Sequence, residues 1–116
     1  MFADDPTRLG HILDLAKEAL ELGRVYKRED LDNNRMLFHS VKDCLETIGE
    51  AAYKLTTDFK LAHPEVDWRS LTRLRNELIH DYFALDLDQM WDTIEDVLPD
   101  LVPEIERLML EYPKAT

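Results

Sequence analysis

The stretch Trp68-Arg69-Ser70-Leu71-Thr72-Arg73-Leu74-Arg75-Asn76-Glu77-Leu78-Ile79-His80-Asp81-Tyr82-Phe83 decides how the rest of the chain is read. Placed on a helix at about 100° per residue, it sorts into faces. Leu71, Leu74 and Leu78 form an apolar stripe with Tyr82 near its edge, while Arg69, Arg73, Asn76 and His80 fall together on the opposite side. The last nine residues, from Arg75 on, carry an always-charged guanidinium, an amide, an imidazole and a phenol, more reactive functionality than a packing helix requires.

Outward from this helix, the same 3.6-residue period recurs. Asp5-Pro6 predicts a helix start, with Asp5 as capping carboxylate and Pro6 in the first helical position; Leu9, Ile12, Leu13, Ala16 and Leu20 then carry the helix to near Tyr26. Lys27 to Asn34 reads as a connection, in part helical. From Leu37, the positions Val41, Cys44, Leu45, Ile48, Ala51, Ala52 and Leu55 form a sustained apolar stripe. Gly49 within it costs about 1 kcal/mol relative to Ala, which points to close helix packing beside Ala51 and Ala52. Phe59 and Leu61 anchor a short turn, His63-Pro64 marks a boundary, and Asp67 is the expected cap of the helix that begins at Trp68. The last helix starts near Asp86 and carries Met90, Trp91, Ile94, Val97, Leu98, Leu101, Val102, Ile105 and Leu108; Pro99 and Pro103 interrupt it, so a kink or a break with a restart is expected near Pro99. No strand-period alternation, repeat or linker interrupts the pattern. The expected fold is all-α, an antiparallel bundle of four main helices in a single domain over residues 1–116.

The composition narrows the function. A hydrophobic fraction of 45% with three Gly and five Pro fits a folded, helix-rich domain of 116 residues. The 25 acidic against 14 basic residues leave a net charge of −11, which repels a phosphate backbone and excludes general, charge-driven coating of nucleic acid; a local basic site remains compatible. No apolar run approaches the roughly 18 residues of a membrane span, and Met1 to Asp5 lacks a basic-then-apolar leader, so a soluble, cytoplasmic protein without membrane contact is expected. Cys44, the one cysteine, reads as a small buried hydrophobe. His11, His39 and His63 show no pairing that suggests metal ligation, and no Cys/His cluster, glycine-rich phosphate loop or serine-nucleophile pattern competes with the central stretch. Neither a metal nor another cofactor is expected.

The pattern Arg-x-x-x-x-His-x-Tyr formed by Arg75, His80 and Tyr82 resembles that of the HEPN family (higher eukaryotes and prokaryotes nucleotide-binding), in particular its HepT-like toxin branch. The likeness extends over Ile48-Gly49-Glu50-Ala51-Ala52, Trp68, Leu71, Leu85, Asp86, Trp91, Ile94, Leu98-Pro99 and Leu101, most of the chain. Arg73 departs from it, since relatives often carry a small residue there. The resemblance implies a dimer in which two motifs share one cleft, a metal-independent ribonuclease, and a partner minimal nucleotidyltransferase antitoxin of the MntA type that attaches AMP to the motif tyrosine, here Tyr82.

The residues suit that chemistry. Attack of an RNA 2′-hydroxyl on its neighbouring phosphate needs a base and a cation that stabilises the transition state. His80 is the acid/base candidate and Arg75 the phosphate stabiliser. Asn76 is placed to orient substrate or His80, and Arg69 and Arg73 to bind substrate. Five residues separate Arg75 from His80, so an ideal helix turns them about 140° apart. Either the helix is distorted or ends near His80, or a second copy completes the site, with Ile79 and Phe83 as apolar contacts between copies. Glu50, within an apolar helical surface, reads equally as a partner of Arg75 or Arg73 and as a plain surface carboxylate. Tyr82 taken alone also reads as a half-buried aromatic with a wet hydroxyl. Two other functional classes fit the chain: a non-catalytic substrate-binding subunit of a small nucleotidyltransferase, favoured by the acidic charge, and a helical dimerisation module.

Overall fold

A computed structural model describes residues 4–80 and 85–113. Tyr82 and Phe83 lie outside the described residues. Every regular element among those described is helical: α1 (Asp5–Val25), α2 (Asp30–Asn33), α3 (Arg35–Lys54), α4 (Thr57–Ala62), α5 (Trp68–His80), α6 (Leu87–Asp92) and α7 (Leu98–Glu111), with a π-turn at Thr93–Val97 between the last two. α1 packs against α3 and α7, and α3 packs in turn against α5. The core runs through all the long helices, from Leu9, Ile12 and Ala16 in α1 to Ile105 and Leu108 in α7.

Polar side chains start several of these helices, at Asp67 and Asp86 as the sequence marks and at Asn34 and Thr56 in addition. Asn34 accepts from the Leu37 N–H at 3.0 Å, Thr56 from Phe59 at 3.2 Å, Asp67 from Ser70 at 3.1 Å and Asp86 from Gln89 at 3.1 Å. Each satisfies a backbone donor that the first helical turn leaves without a partner. Cys44 is buried in α3, and burial first, then the carboxylates of Glu18 and Asp43, push its thiol up to about 12.

Asp5 differs from its expected role. It makes no cap on α1, whose N-cap is Asp4. At 1% exposure its carboxylate instead accepts from the Thr56 N–H at 3.0 Å and the Thr56 hydroxyl at 2.7 Å. Thr56 Oγ1 is in turn the cap of α4. A buried carboxylate requires such donors, so α1 and α4 are joined across 51 residues.

The break with a restart near Pro99 does not occur; a π-turn stands just before it. The Leu98 N–H bonds to the carbonyl of Thr93, five residues back, and the helical run continues from Leu87 to Glu111. Proline lacks the N–H of an α-helical bond and its ring crowds the carbonyl four residues earlier; one wider turn just before Pro99 relieves both. Thr93 adds a bond from its hydroxyl to the Gln89 carbonyl at 2.9 Å, which also favours bending. The extra residue leaves Val97 exposed while Ile94 and Leu98 stay in the core.

Candidate functional site

α5 presents the faces that its periodicity requires. Leu71, Leu74 and Leu78 are buried, and Arg69, Arg73, Asn76, Ile79 and His80 are exposed. α5 runs unbroken from Arg75 to His80, its last described residue, so no distortion between them swings the two onto one face; the alternative that the helix ends near His80 turns on residues 81–84, which lie outside the described residues. No hydrogen bond joins the two among the described residues, and His80 has no described partner.

Arg75 lies on the flank of α5 that faces α3, with its side chain 21% exposed. Close approach of the helices places it there. A Cβ at Gly49 would overlap the Arg75 Cβ and stand 2.7 Å from the Leu71 carbonyl oxygen, so the packing attributed to Gly49 holds against α5 itself, and only glycine fits without displacing backbone. One residue on, Glu50 Oε2 accepts from Arg75 Nε at 2.6 Å. Arg75 Nη1 donates to Asn76 Oδ1 at 2.7 Å, and the guanidinium carbon lies 4.9 Å from the centre of the Tyr53 ring. Two of five N–H donors are thus used to fix the group, and the cation rests on an aromatic face.

Glu50 is therefore a partner of Arg75. The Arg75 hydrogen bond, helped by Lys54 at 3.4 Å, holds its carboxyl below the usual carboxylate range against the opposing effect of desolvation. Asn76 turns its carbonyl to Arg75, neither to His80 nor outward. Tyr53 was not marked by the sequence, although it stands four residues from Gly49 and three from Glu50 and so shares their helical face.

Arg69, Arg73 and Asn76 line an open groove of about 890 Å³ whose other wall is α4 with residues 64–67. Neither arginine closes an ion pair among the described residues. Both nonetheless act on Asp67, whose carboxyl is held low first by its hydrogen bonds from Ser70 and then by the charges of Arg73 and Arg69. The remaining histidines stand apart: His11 and His39 are exposed, and His63 is nearly buried, hydrogen-bonded to the Tyr112 hydroxyl at 2.9 Å. Among the described residues no group of His, Cys, Asp or Glu is arranged to hold a metal ion, and no helix is long and apolar enough to cross a membrane.

The profile described as "Ribonuclease HepT-like" matches residues 12–108, a span that takes in Gly49, Glu50, Arg75 and His80. The chain belongs to the HepT-like ribonuclease family. It is 37% identical over 102 residues to a protein of Thermococcus cleftensis named "Probable ribonuclease HepT", covering 84% of this chain and 92% of the relative. A Methanocaldococcus jannaschii protein named "Putative RNase" is 34% identical over 95 residues, covering 82% and 87% of the two chains. A protein of the same description from Caldanaerobacter subterraneus is 30% identical over 101 residues, covering 87% and 90%. No solved structure matches the chain.

Proposed function

We propose that this HepT-like protein is a metal-independent endoribonuclease toxin, held in check by a minimal nucleotidyltransferase that attaches AMP to Tyr82. The observation that carries the catalytic part is the fixed guanidinium of Arg75, bound by Glu50, Asn76 and Tyr53 with N–H donors to spare. A cation held in place before substrate arrives stabilises developing phosphate charge without reorganising in the reaction. In the proposed reaction His80 takes the proton of an RNA 2′-hydroxyl as its oxygen bonds to phosphorus. The bond from phosphorus to the 5′-oxygen breaks, and that oxygen receives a proton from an imidazolium. The products are a 2′,3′-cyclic phosphate and a 5′-hydroxyl.

The regular course of α5 between Arg75 and His80 supports a site shared by two protomers, with Ile79, 41% exposed, at the contact. Support for the antitoxin and for Tyr82 comes from the family pattern alone. AMP on Tyr82 would set a bulky adenosine and a negative phosphate two residues from His80, so RNA would meet steric exclusion and like-charge repulsion.

The purified protein is expected to cleave single-stranded RNA in EDTA, leaving cyclic phosphate ends. Arg75→Ala and His80→Ala, each shown to fold, should lower the rate at least a hundredfold, on the order of what general acid–base catalysis supplies. Unchanged cleavage in both would assign the activity elsewhere, and cleavage abolished by EDTA would refute the metal-free reaction. The net charge of −11 favours a second reading, a substrate-binding subunit of a nucleotidyltransferase. That protein would bind its partner yet leave RNA intact.

A further inference from the structure

The groove between α4 and α5 holds more than the polar residues Arg69, Arg73 and Asn76 of its α5 wall. Tyr53 stands at its α3 end with 53% of its surface exposed, although one side of its ring carries the Arg75 guanidinium. Lys60 joins from α4, its ammonium donating to the carbonyls of Ala52 at 3.3 Å and Tyr53 at 3.2 Å. That lysine closes the end of α3 and fixes the backbone of Tyr53 while adding positive charge to the groove. Leu61, 74% exposed, forms an apolar rim.

The charge balance is the reverse of that of the whole chain. Lys60, Arg69 and Arg73 face two carboxylates, Glu65 and Asp67, and both carboxylates are already engaged. Glu65 pairs with Arg107, and Asp67 accepts both bonds from Ser70. Arg69 and Arg73 stand one helical turn apart, about 6 Å along α5, similar to the step between neighbouring phosphates of a stretched single strand. The groove is continuous at Asn76 with the Arg75 site.

We infer that this groove is the track on which single-stranded RNA leaves the Arg75 site, with phosphates on Arg73 and Arg69 and one base stacked on Tyr53. The inference rests on the ribonuclease reading for its substrate, not for its geometry. An exposed aromatic at the end of a cationic groove is what an unstacked base needs, and a duplex, whose bases are already stacked, gains nothing from Tyr53. Because Tyr53 also carries Arg75, a base seated on it registers the neighbouring phosphate against the guanidinium. Tyr53 is then a positioning residue as well as a binding one.

The test measures binding of a fluorescein-labelled, unstructured, mixed-sequence RNA oligonucleotide to the full-length His80→Ala protein by anisotropy over a range of KCl concentrations. Arg69→Gln with Arg73→Gln should weaken binding and reduce the slope of log K against log salt by about 1.4, roughly 0.7 for each single-strand phosphate that is no longer neutralised. Tyr53→Leu should weaken binding roughly fivefold to a hundredfold with the slope unchanged, as for removal of one stacked base, and Tyr53→Phe should bind like the parent. Thermal melts confirm that each variant folds. Absence of RNA binding by the parent, equal binding by all variants, or competition by polyglutamate as effective as by RNA would each overturn the track. Cleavage is scored separately with His80 intact. RNA that is bound in this pattern but never cut would refute the ribonuclease and leave the track standing, whereas His80-dependent cleavage with binding indifferent to the groove variants would do the opposite.

Discussion

Glu50 is the residue whose reading the structure changes most. Sequence left it between a partner for arginine and a surface carboxylate, because helical spacing places it on an apolar surface but does not show which side chain reaches it. Bound to Arg75 Nε at 2.6 Å, it sets the direction of the guanidinium that we propose stabilises the transition state. Replacing Glu50 should therefore act on kcat more than on KM. Glu50→Leu is expected to lower kcat about tenfold or more, an effect of about 1.4 kcal/mol, and Glu50→Gln, which keeps an acceptor, should lower it less. A rise in KM with kcat preserved would show that Glu50 does not position Arg75. The pair also has a pH signature. The folded carboxyl titrates below its ordinary value, so its contribution is present above the unfolded carboxylate range and disappears as pH falls through the lowered value. The stability gap between wild type and Glu50→Gln, about 1 kcal/mol or less for a pair this exposed, should hold at neutral pH and close in acid. Equilibrium denaturation at several pH values reads it directly.

At the scale of elements, the contact of α3 with α5 carries the site. The helix starts at Asp67 and near Asp86 were legible because a short polar side chain bonds the backbone three residues on and the interaction is local, whereas the same bonds at Asn34 and Thr56 were not read from the sequence. The π-turn was only half legible: Pro99 announces a disturbance, but whether the helix breaks or widens depends on the core that holds Ile94 and Leu98 on either side. Gly49 was legible as a packing glycine, while its neighbour across the contact was not. Its substitution separates propensity from packing. Gly49→Ala improves helix propensity by about 1 kcal/mol, yet the new methyl would stand 2.7 Å from the Leu71 carbonyl oxygen. The expected result is a net loss of about 1–3 kcal/mol, typical of overpacking, together with lower activity as α5 shifts. Gly10→Ala is the control, because its methyl meets only Met109 Cε, at 3.9 Å, and should stabilise. Chemical denaturation of both variants checks the pair; a Gly49→Ala protein as stable as Gly10→Ala would mean that the two helices are not held this closely.

For the whole molecule, helical content and the single apolar core were readable from period and composition, whereas the groove that Tyr53 and Lys60 share with α5 became visible only in the folded arrangement of α3, α4 and α5. The proposed two-protomer site makes its own prediction. If Arg75 of one protomer serves His80 of the other, mixing Arg75→Ala with His80→Ala protein, under conditions where subunits exchange, should restore part of the activity that each lacks alone. Sedimentation should show a dimer throughout. A strictly monomeric wild type, or mixtures as inactive as their components, would confine the site to one chain.

The bond from Asp5 to Thr56 makes the first residue of α1 a remote component of the groove. During synthesis Asp5 emerges long before its partner, so the α4 wall acquires its buried anchor only when residues 5 and 56 meet. A chain trimmed to start after Asp5 would keep every residue of the central stretch yet lose the anchor beneath the wall opposite Arg69 and Arg73. Amide exchange at Phe59, whose N–H bonds to Thr56, would report that loss.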